Sequence, residues 1–314
     1  TPVQAEHFSA LAALFVQNFS RLRDSNPLVP DTLAAPERVA ERLAWLAGGV
    51  VALNADQPVG YLGWFIVPEF RGTPRTGAYC PEWGHAASGD ADAVYRALYR
   101  AASVEWAAAG CGVHAVTLLA HDAAARQAWF WNGFGLAVVD ALRPITPLFL
   151  PADNSLTLRR ATLDDLPALV ALEAEHAQHY TQPPIQMAAY AGQNADTLAA
   201  FLQGEHNTLW LALDSDEPVG FVRFECDGEG AAAVVAAPDQ IAITGAYVRP
   251  PYRGRRIAVK LLDTGLQHYA ALGFTGCSVD FEAFNPDATA FWLKYFTPVC
   301  LSVTRIPEQA PPNP

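Results

Sequence analysis

Ile241–Leu262 reads IAITGAYVRPPYRGRRIAVKLL. Ile241 to Val248 has the content of a buried strand, Pro250 and Pro251 mark a tight turn, and Arg253–Arg256 is a basic loop around Gly254. Ile257, Leu261, Leu262, Leu266 and Tyr269 then recur at helical spacing. A loop ending at a helix start offers backbone N–H groups that no helical carbonyl takes up, and the positive end of the helix dipole adds to them. Phosphate oxygens suit such a place. Arg253, Arg255 and Arg256 bring side-chain charge to it, in a chain whose formal net charge is −12. The plainer alternative is a strand–turn–helix joint with solvated arginines.

Outward from this stretch, the chain repeats itself. Asp56–Tyr61 (DQPVGY) returns as Asp216–Phe221 (DEPVGF), an offset of 160 residues (216 − 56). Gly77-Ala78-Tyr79 returns as Gly245-Ala246-Tyr247 at 168 (245 − 77), and the surroundings of Trp129 return around Trp292 at 163 (292 − 129). Three matches in order predict two copies of one fold. Each copy reads as helices, antiparallel hairpins joined by Asp-x-Pro turns, then helix, strand, helix, strand. The expected fold class is α/β (α+β): two tandem domains, each with its own mixed, mostly antiparallel sheet flanked by helices. The expected boundaries are 1–146, a Pro-rich linker at 147–155, a second domain at 156–306, and a disordered Pro-rich tail at 307–314.

The basic loop resembles the acetyl-CoA-binding motif of the GNAT superfamily of N-acyltransferases, Arg/Gln-x-x-Gly-x-Gly/Ala between a strand and a helix. It falls here on Arg253, Gly254, Arg255, Arg256, Ile257 and Ala258, with Arg256 at the family's central Gly. Only the backbone N–H of that position is needed for a pyrophosphate, so an Arg keeps the contact if its φ/ψ is ordinary. Asn285, Ala288, Phe291, Trp292 and Phe296 are similar to the family's Asn-x-x-Ala-x-x-Phe-Tyr pattern. The resemblance implies that Asn285 reaches the pantetheine arm, that Trp292 sits near the thioester, and that the strand Ala246, Tyr247, Val248 offers a backbone N–H to the developing oxyanion. Where the family often has a Tyr that protonates the leaving thiolate, this chain has Trp292, so Tyr295 or a water takes that part. Both halves follow the family's element order. The first copy has CPEWGHAASGD after Gly77-Ala78-Tyr79, with no basic residue, and is expected to be a cofactor-free half that packs on the second and lends a wall to the acceptor pocket.

Attack of an amine on a thioester requires a base. Alternation along Cys277–Ala283 puts Ser278, Asp280 and Glu282 on one face. Asp280 and Glu282 are the base candidates, Glu282 preferred because it lies nearer the strand's carboxyl end; pairing with an arginine such as Arg249 is the alternative for either. Glu173, His176 and Tyr180 lie where the resemblance implies the roof of the acceptor pocket. His176 and His179 lack a third metal ligand, so no metal is expected. His85 and His121 read as structural.

With 314 residues, 51% of them hydrophobic, two cores are affordable. The acidic balance argues against nucleic-acid binding, and with it against an aminoacyl-tRNA-using relative of the fold. Five scattered cysteines with no CxxC suggest neither disulfides nor zinc. No run of about 18 apolar residues suggests a membrane span, and the opening TPVQAEHF has neither a signal segment nor an initiator Met, as at a trimmed start. The reading expected is a cytoplasmic acetyl-CoA-dependent N-acetyltransferase acting on a small-molecule or peptide primary amine. It is expected as a monomer, since two fused copies imitate a dimer, with a dimer as the alternative. A non-catalytic acyl-CoA-binding or interaction protein is the second reading.

Overall fold

The computed structural model describes residues 1–148, 150, 156–226, 228 and 231–308. The first half runs α1 (Phe8–Ser25), α2 (Pro36–Leu43), β1 (Gly48–Asn54), β2 (Gln57–Val67), β3 (Gly77–Cys80), β4 (His85–Ala87), α3 (Ala91–Ala108), β5 (Val113–Leu119), α4 (Ala123–Trp131) and β6 (Gly135–Pro144). The second runs β7 (Thr157–Arg160), α5 (Leu166–Thr181), α6 (Ala195–Gln203), β8 (Thr208–Asp214), β9 (Glu217–Glu225), β10 (Gln240–Val248), α7 (Ile257–Ala271), β11 (Gly276–Glu282), α8 (Pro286–Trp292) and β12 (Thr297–Arg305). Most of the expected linker and residues 309–314 of the expected tail lie outside the described residues.

Local chemistry repeats between the halves. The β1–β2 turn places Ala55 and Asp56 at φ 47° and 66°, and the β8–β9 turn places Ser215 and Asp216 at 50° and 71°. Two successive left-handed residues match the right-handed twist of flanking strands. A register shift follows at the same place in each hairpin, Ala52/Leu53 and Ala212/Leu213. Asp122 and Asn285 both cap the helix after their strand, accepting from the N–H three residues on.

The two expected sheets are one. Its twelve strands run β1-β2-β3-β5-β12-β6-β11-β10-β9-β8-β7, with β4 beside β2. The cause is an exchange of last strands. β6 of the first half pairs with β11 of the second, from Gly276↔Pro144 to Glu282↔Val138, while β12 of the second pairs with β5 of the first. β6 and β12 run antiparallel at the centre, so the halves share a continuous backbone ladder.

The Gly77-Ala78-Tyr79 match is out of register. Gly77 pairs with Val113 as Gln240 pairs with Gly276, so the structural counterpart of Gly77 is Gln240, not Gly245. Gly77 serves a local purpose: a Cβ there would meet the Phe70 ring at 2.6 Å. From register, Thr117 and Leu119 occupy the places of Asp280 and Glu282.

The first half's cleft is filled from two sides. After β3 its own chain turns inward, burying Glu82, Trp83 and His85. The His85 ring contacts the Thr117 carbonyl (Nε2···O 2.9 Å) and the Tyr95 hydroxyl (Nδ1···O 3.0 Å), and His121 contacts Asn18, so both histidines hold structure. From the second half, Ala232, Val234 and Val235 enter the core formed by α1, α2 and Trp83. Their backbone is received by acidic side chains: Ala232 N–H donates to Asp140 Oδ1 (2.9 Å) and Val234 N–H to Glu82 Oε1 (3.1 Å). Among the described residues no disulfide is formed. Among the described residues no helix is long and apolar enough to cross a membrane.

Candidate active site

In the second half the same place is open. β10 and β11 pair in parallel only from Gln240↔Gly276 to Ile243↔Val279, and beyond Ile243 the strands part. The parting starts at a bulge, where the β10–β9 register shifts between Ile243 and Gly245. Arg223 holds it, donating Nε–H to Thr244 Oγ1 (3.0 Å) and Nη2–H to the Thr244 carbonyl (2.7 Å), with Nη1 3.4 Å from Glu173 Oε1. The opening is a cavity of about 500 Å³, within the usual size of a small-molecule site.

The Arg253–Ala258 loop forms one lip. Gly254 has φ +78° and Arg256, the residue before α7, has φ +62° and ψ 18°. The condition set by the sequence, an ordinary φ/ψ at Arg256, is therefore not met: the left-handed backbone of a glycine position is kept and carries a side chain. Ile257, 2% exposed, anchors the helix start in the core, which leaves the first-turn N–H groups of a fifteen-residue helix facing the loop. Arg253 ties the lip to the other wall, donating Nε–H to the Val248 carbonyl (3.1 Å) and Nη1–H to Asp287 Oδ2 (2.7 Å). Asp287 is well exposed, so this pair is weakly held and open to competition by an anion. These donors suit the diphosphate of a CoA thioester. Arg255 does not reach the cavity; its guanidinium lies over the Tyr252 ring at 5.0 Å.

Left-handed backbone costs a residue with a Cβ about 1–2 kcal/mol. Arg256→Gly is therefore expected to raise Tm by roughly 2–4 °C in thermal melts, at about 1 kcal/mol of net stabilisation, while leaving acetyl-CoA affinity within about threefold. A loss of binding beyond tenfold would show that the guanidinium, not the backbone, is what position 256 contributes.

Asn285 caps α8 through Ala288 N–H (3.3 Å) and also lines the cavity. Trp292 is 7% exposed, edge-on to Phe291 and Phe296, and Tyr295 packs on Phe291. Ala246, Tyr247, Val248, Ala258, Trp292 and Tyr295 all belong to the lining, as do His176 and Tyr180 from α5. The His176 ring sits between Tyr180 (5.1 Å), Tyr247 (5.6 Å) and Phe221 (5.7 Å). Glu173 is not part of the lining: 3% exposed, it is held between Arg223 and His176.

Asp280 and Glu282 both face the cavity. Burial raises both carboxyls above their ordinary values, and Arg71 pulls each back. Asp280 is exposed to solvent in the cavity, and the protein packed around it is what raises its carboxyl. Their partners differ. Arg71 of the first half donates Nη2–H to Glu282 Oε2 at 2.6 Å. Asp280 has no ion-pair partner among the described residues. Opposite it on β6 lies Asp140, whose carboxyl burial pushes up to about 8, a largely protonated neighbour near neutral pH. The sequence's first choice, Glu282, is thus bound to an arginine while its neighbour is free. Arg249 pairs with Glu175 and Glu217 instead of either. Among the described residues no group of His, Cys, Asp and Glu is placed to hold a metal ion.

A family model described as the acetyltransferase (GNAT) family matches residues 172–296, from α5 to the residue before β12. No curated protein matches the chain. Among solved structures, a GCN5-related N-acetyltransferase from Sphaerobacter thermophilus is 14% identical with a TM-score of 0.54, over 97% of this chain and 95% of that one. A tandem GNAT protein from the clavulanic acid biosynthesis pathway is 12% identical with a TM-score of 0.51, over 97% of both chains. A GCN5-related glucosamine N-acetyltransferase region of a fungal multi-domain GH3 beta-N-acetylglucosaminidase is 13% identical with a TM-score of 0.58, over 97% of this chain and 37% of that one. At such identities the likeness is one of fold. It spans both halves, and the chain has a GNAT acetyltransferase-like fold with two GNAT-type units in tandem.

Proposed function

We propose that the protein is an N-acyltransferase that moves the acetyl group of acetyl-CoA to a primary amine by direct attack, acting in its second half, residues 156–306. The observation that supports the reading best is the meeting, in one cavity, of the parted strands, the α7 N-terminal loop and two carboxylates of raised pKa. Arg253, Gly254, Arg256, Ile257 and Ala258 form the diphosphate end. Asn285 and Trp292 flank the pantetheine path, and β10 at Ala246–Val248 forms the opposite edge. Arg255 is left as a surface charge.

Bound acetyl-CoA supplies an activated acyl carbonyl. The chain's own contribution is to manage protons. A primary amine arrives protonated near neutral pH, and Asp280, which has no ion-pair partner among the described residues, accepts that proton at a carboxylate oxygen, with Glu282 as the alternative. A carboxylate with a raised pKa is a stronger base than an ordinary one. Tyr295 belongs to the same lining and is the proposed donor of the proton that the departing CoA thiolate takes up. His176 and Tyr180, with Tyr247 and Phe221, offer ring faces to a cationic acceptor. The first half, residues 1–146, is read as cofactor-free, its cleft filled by its own chain and by Ala232–Val235. The central strands where a second copy would dock are already paired, which favours a monomer.

Trp292 in place of a hydroxyl-bearing residue favours one rival, a non-catalytic acyl-CoA-binding protein. Titration calorimetry with acetyl-CoA and a thiol-release assay over a panel of primary amines separate the two. The proposal expects one binding site per chain and turnover with some amine. Absence of binding sinks both readings, and binding without turnover on any amine leaves the rival.

A further inference from the structure

The contact between Arg71 and Glu282 joins residues 211 positions apart and belongs to neither half alone. We propose that Arg71 is a positioning residue of the second half's site: it fixes Glu282, so that a single carboxylate, Asp280, is presented to the acceptor amine. This rests on the acyltransfer reading above.

The segment that carries Arg71 is built to deliver it. Glu69, Arg71 and Gly72 all have left-handed backbone, φ 50°, 53° and 70°. Two of these carry side chains, and strained residues of this kind persist where their surroundings over-determine them. The surroundings do so here. Phe70 lies over Gly77, which must lack a Cβ to seat it. Phe70 N–H donates to the Arg75 carbonyl (2.8 Å), and the Thr73 hydroxyl donates to the Phe70 carbonyl (2.8 Å). Across the junction, Gly72 faces Ala188 of the second half. The ion pair is mostly shielded, its side chains 29% and 14% exposed, so removing one partner leaves the other poorly solvated.

The exchange is reciprocal. The connection after β9 sends Ala232–Val235 into the first half's cleft, and the corresponding connection after β2 sends Arg71 to the second half's cleft. One insertion fills a site with apolar side chains; the other equips a site with a charge.

The groups around Glu282 decide what Arg71 changes. Its own strand brings Asp280, α5 brings Tyr180, β6 brings Asp140, β10 carries only Tyr247, and α8 begins with the neutral Asn285 and with Asp287, which Arg253 holds. Arg71 is the one cation in direct contact with Glu282 among the described residues. Without it, burial and Asp280 act unopposed and the Glu282 carboxyl moves further up. Glu282 then competes with Asp280 for the acceptor's proton.

The test uses the full chain with Arg71→Gln, Arg71→Lys and Gly77→Ala. In Arg71→Gln, kcat/KM for the acceptor is expected to fall at least about tenfold at pH 7, and the acid limb of its pH profile to move up by roughly half a unit or more. The acetyl-CoA Kd should stay within about twofold. Arg71→Lys should restore most of the loss, and Gly77→Ala, which displaces Phe70, should move the acid limb in the same direction by less. An acid limb unmoved in Arg71→Gln overturns the proposal. A second measurement does not depend on activity: a double-mutant cycle of Arg71→Gln and Glu282→Gln, read by denaturant unfolding, should show coupling of about tenfold in the unfolding equilibrium constant. Additive effects overturn the proposal whatever the enzyme assay shows, whereas coupling in a protein without acetyl transfer would count against the acyltransfer reading alone.

Discussion

Asp280→Asn should lower acetyl transfer to a primary amine by about 10²–10⁴-fold in kcat, with acetyl-CoA affinity unchanged within about twofold. Asparagine matches the shape of the aspartate and cannot take the amine's proton. The wild-type profile carries a second signature. A base works only when ionised, so kcat/KM should climb with pH through a value above the ordinary aspartate 3.8, because burial raises Asp280. That limb should be absent from Asp280→Asn. Stability should move the other way. A carboxyl whose pKa is higher folded than unfolded binds more protons in the native state between the two values. Its ionisation therefore costs stability as pH rises from about 3.8 to the folded value. A neutral Asn removes this loss, so thermal melts at pH 7.5 should show a variant at least as stable as the parent. Loss of turnover with stability retained separates chemistry from folding. If Asp280→Asn keeps more than a tenth of the activity while Glu282→Gln loses it, the base is Glu282 after all.

What the sequence made legible was local. The two Asp-x-Pro turns and the strand–loop–helix at Ile241–Leu262 depend on neighbours a few residues away, and the residue types report them. Even the alternation that set Asp280 and Glu282 on one face needed only the pleat. The same logic misled where similarity was short: Gly77-Ala78-Tyr79 looks like Gly245-Ala246-Tyr247, but its glycine answers to Phe70 and its register matches Gln240.

Other features were beyond the pattern for physical reasons. A strand's residues say which faces are buried, not which chain segment pairs with its edge, and Val138–Leu142 satisfies β11 with the same kind of side chains that a strand of the second half would offer. Arg256 gives no sign of its backbone angle, because left-handed geometry is imposed by the turn around it. Arg71 is invisible for the same reason in a longer form: no spacing links residue 71 to residue 282, and only the meeting of two connections across the shared sheet brings them together. Gly72, beside a charged residue in an otherwise unremarked stretch, is the one trace. Glu173 shows the reverse error, an acid placed correctly near the site whose carboxylate is taken by Arg223 and His176.

The second half expressed alone, residues 156–308, should not form a native-like monomer, although it holds the whole candidate site. Its β11 would lose β6, a seven-residue antiparallel partner, and β12 would lose both β5 and β6. Val279 and Phe281 on β11 and Val299 and Cys300 on β12, all 5% exposed or less in the full chain, would face water on strands with open edges. Exposed apolar edges pair with whatever strand is offered. The isolated half should therefore aggregate or associate with a second copy that returns its β12 across the interface, because symmetric exchange repairs both edges at once. Size-exclusion chromatography with light scattering, beside circular dichroism, reads the outcome. Mixing with separately produced residues 1–146 should recover a one-to-one complex that binds acetyl-CoA like the full chain. A stable, acetyl-CoA-binding monomer of 156–308 would mean that β12 folds back onto β11 at little cost. The exchange of last strands would then be a matter of connectivity, and only the Arg71 contact would still require the first half.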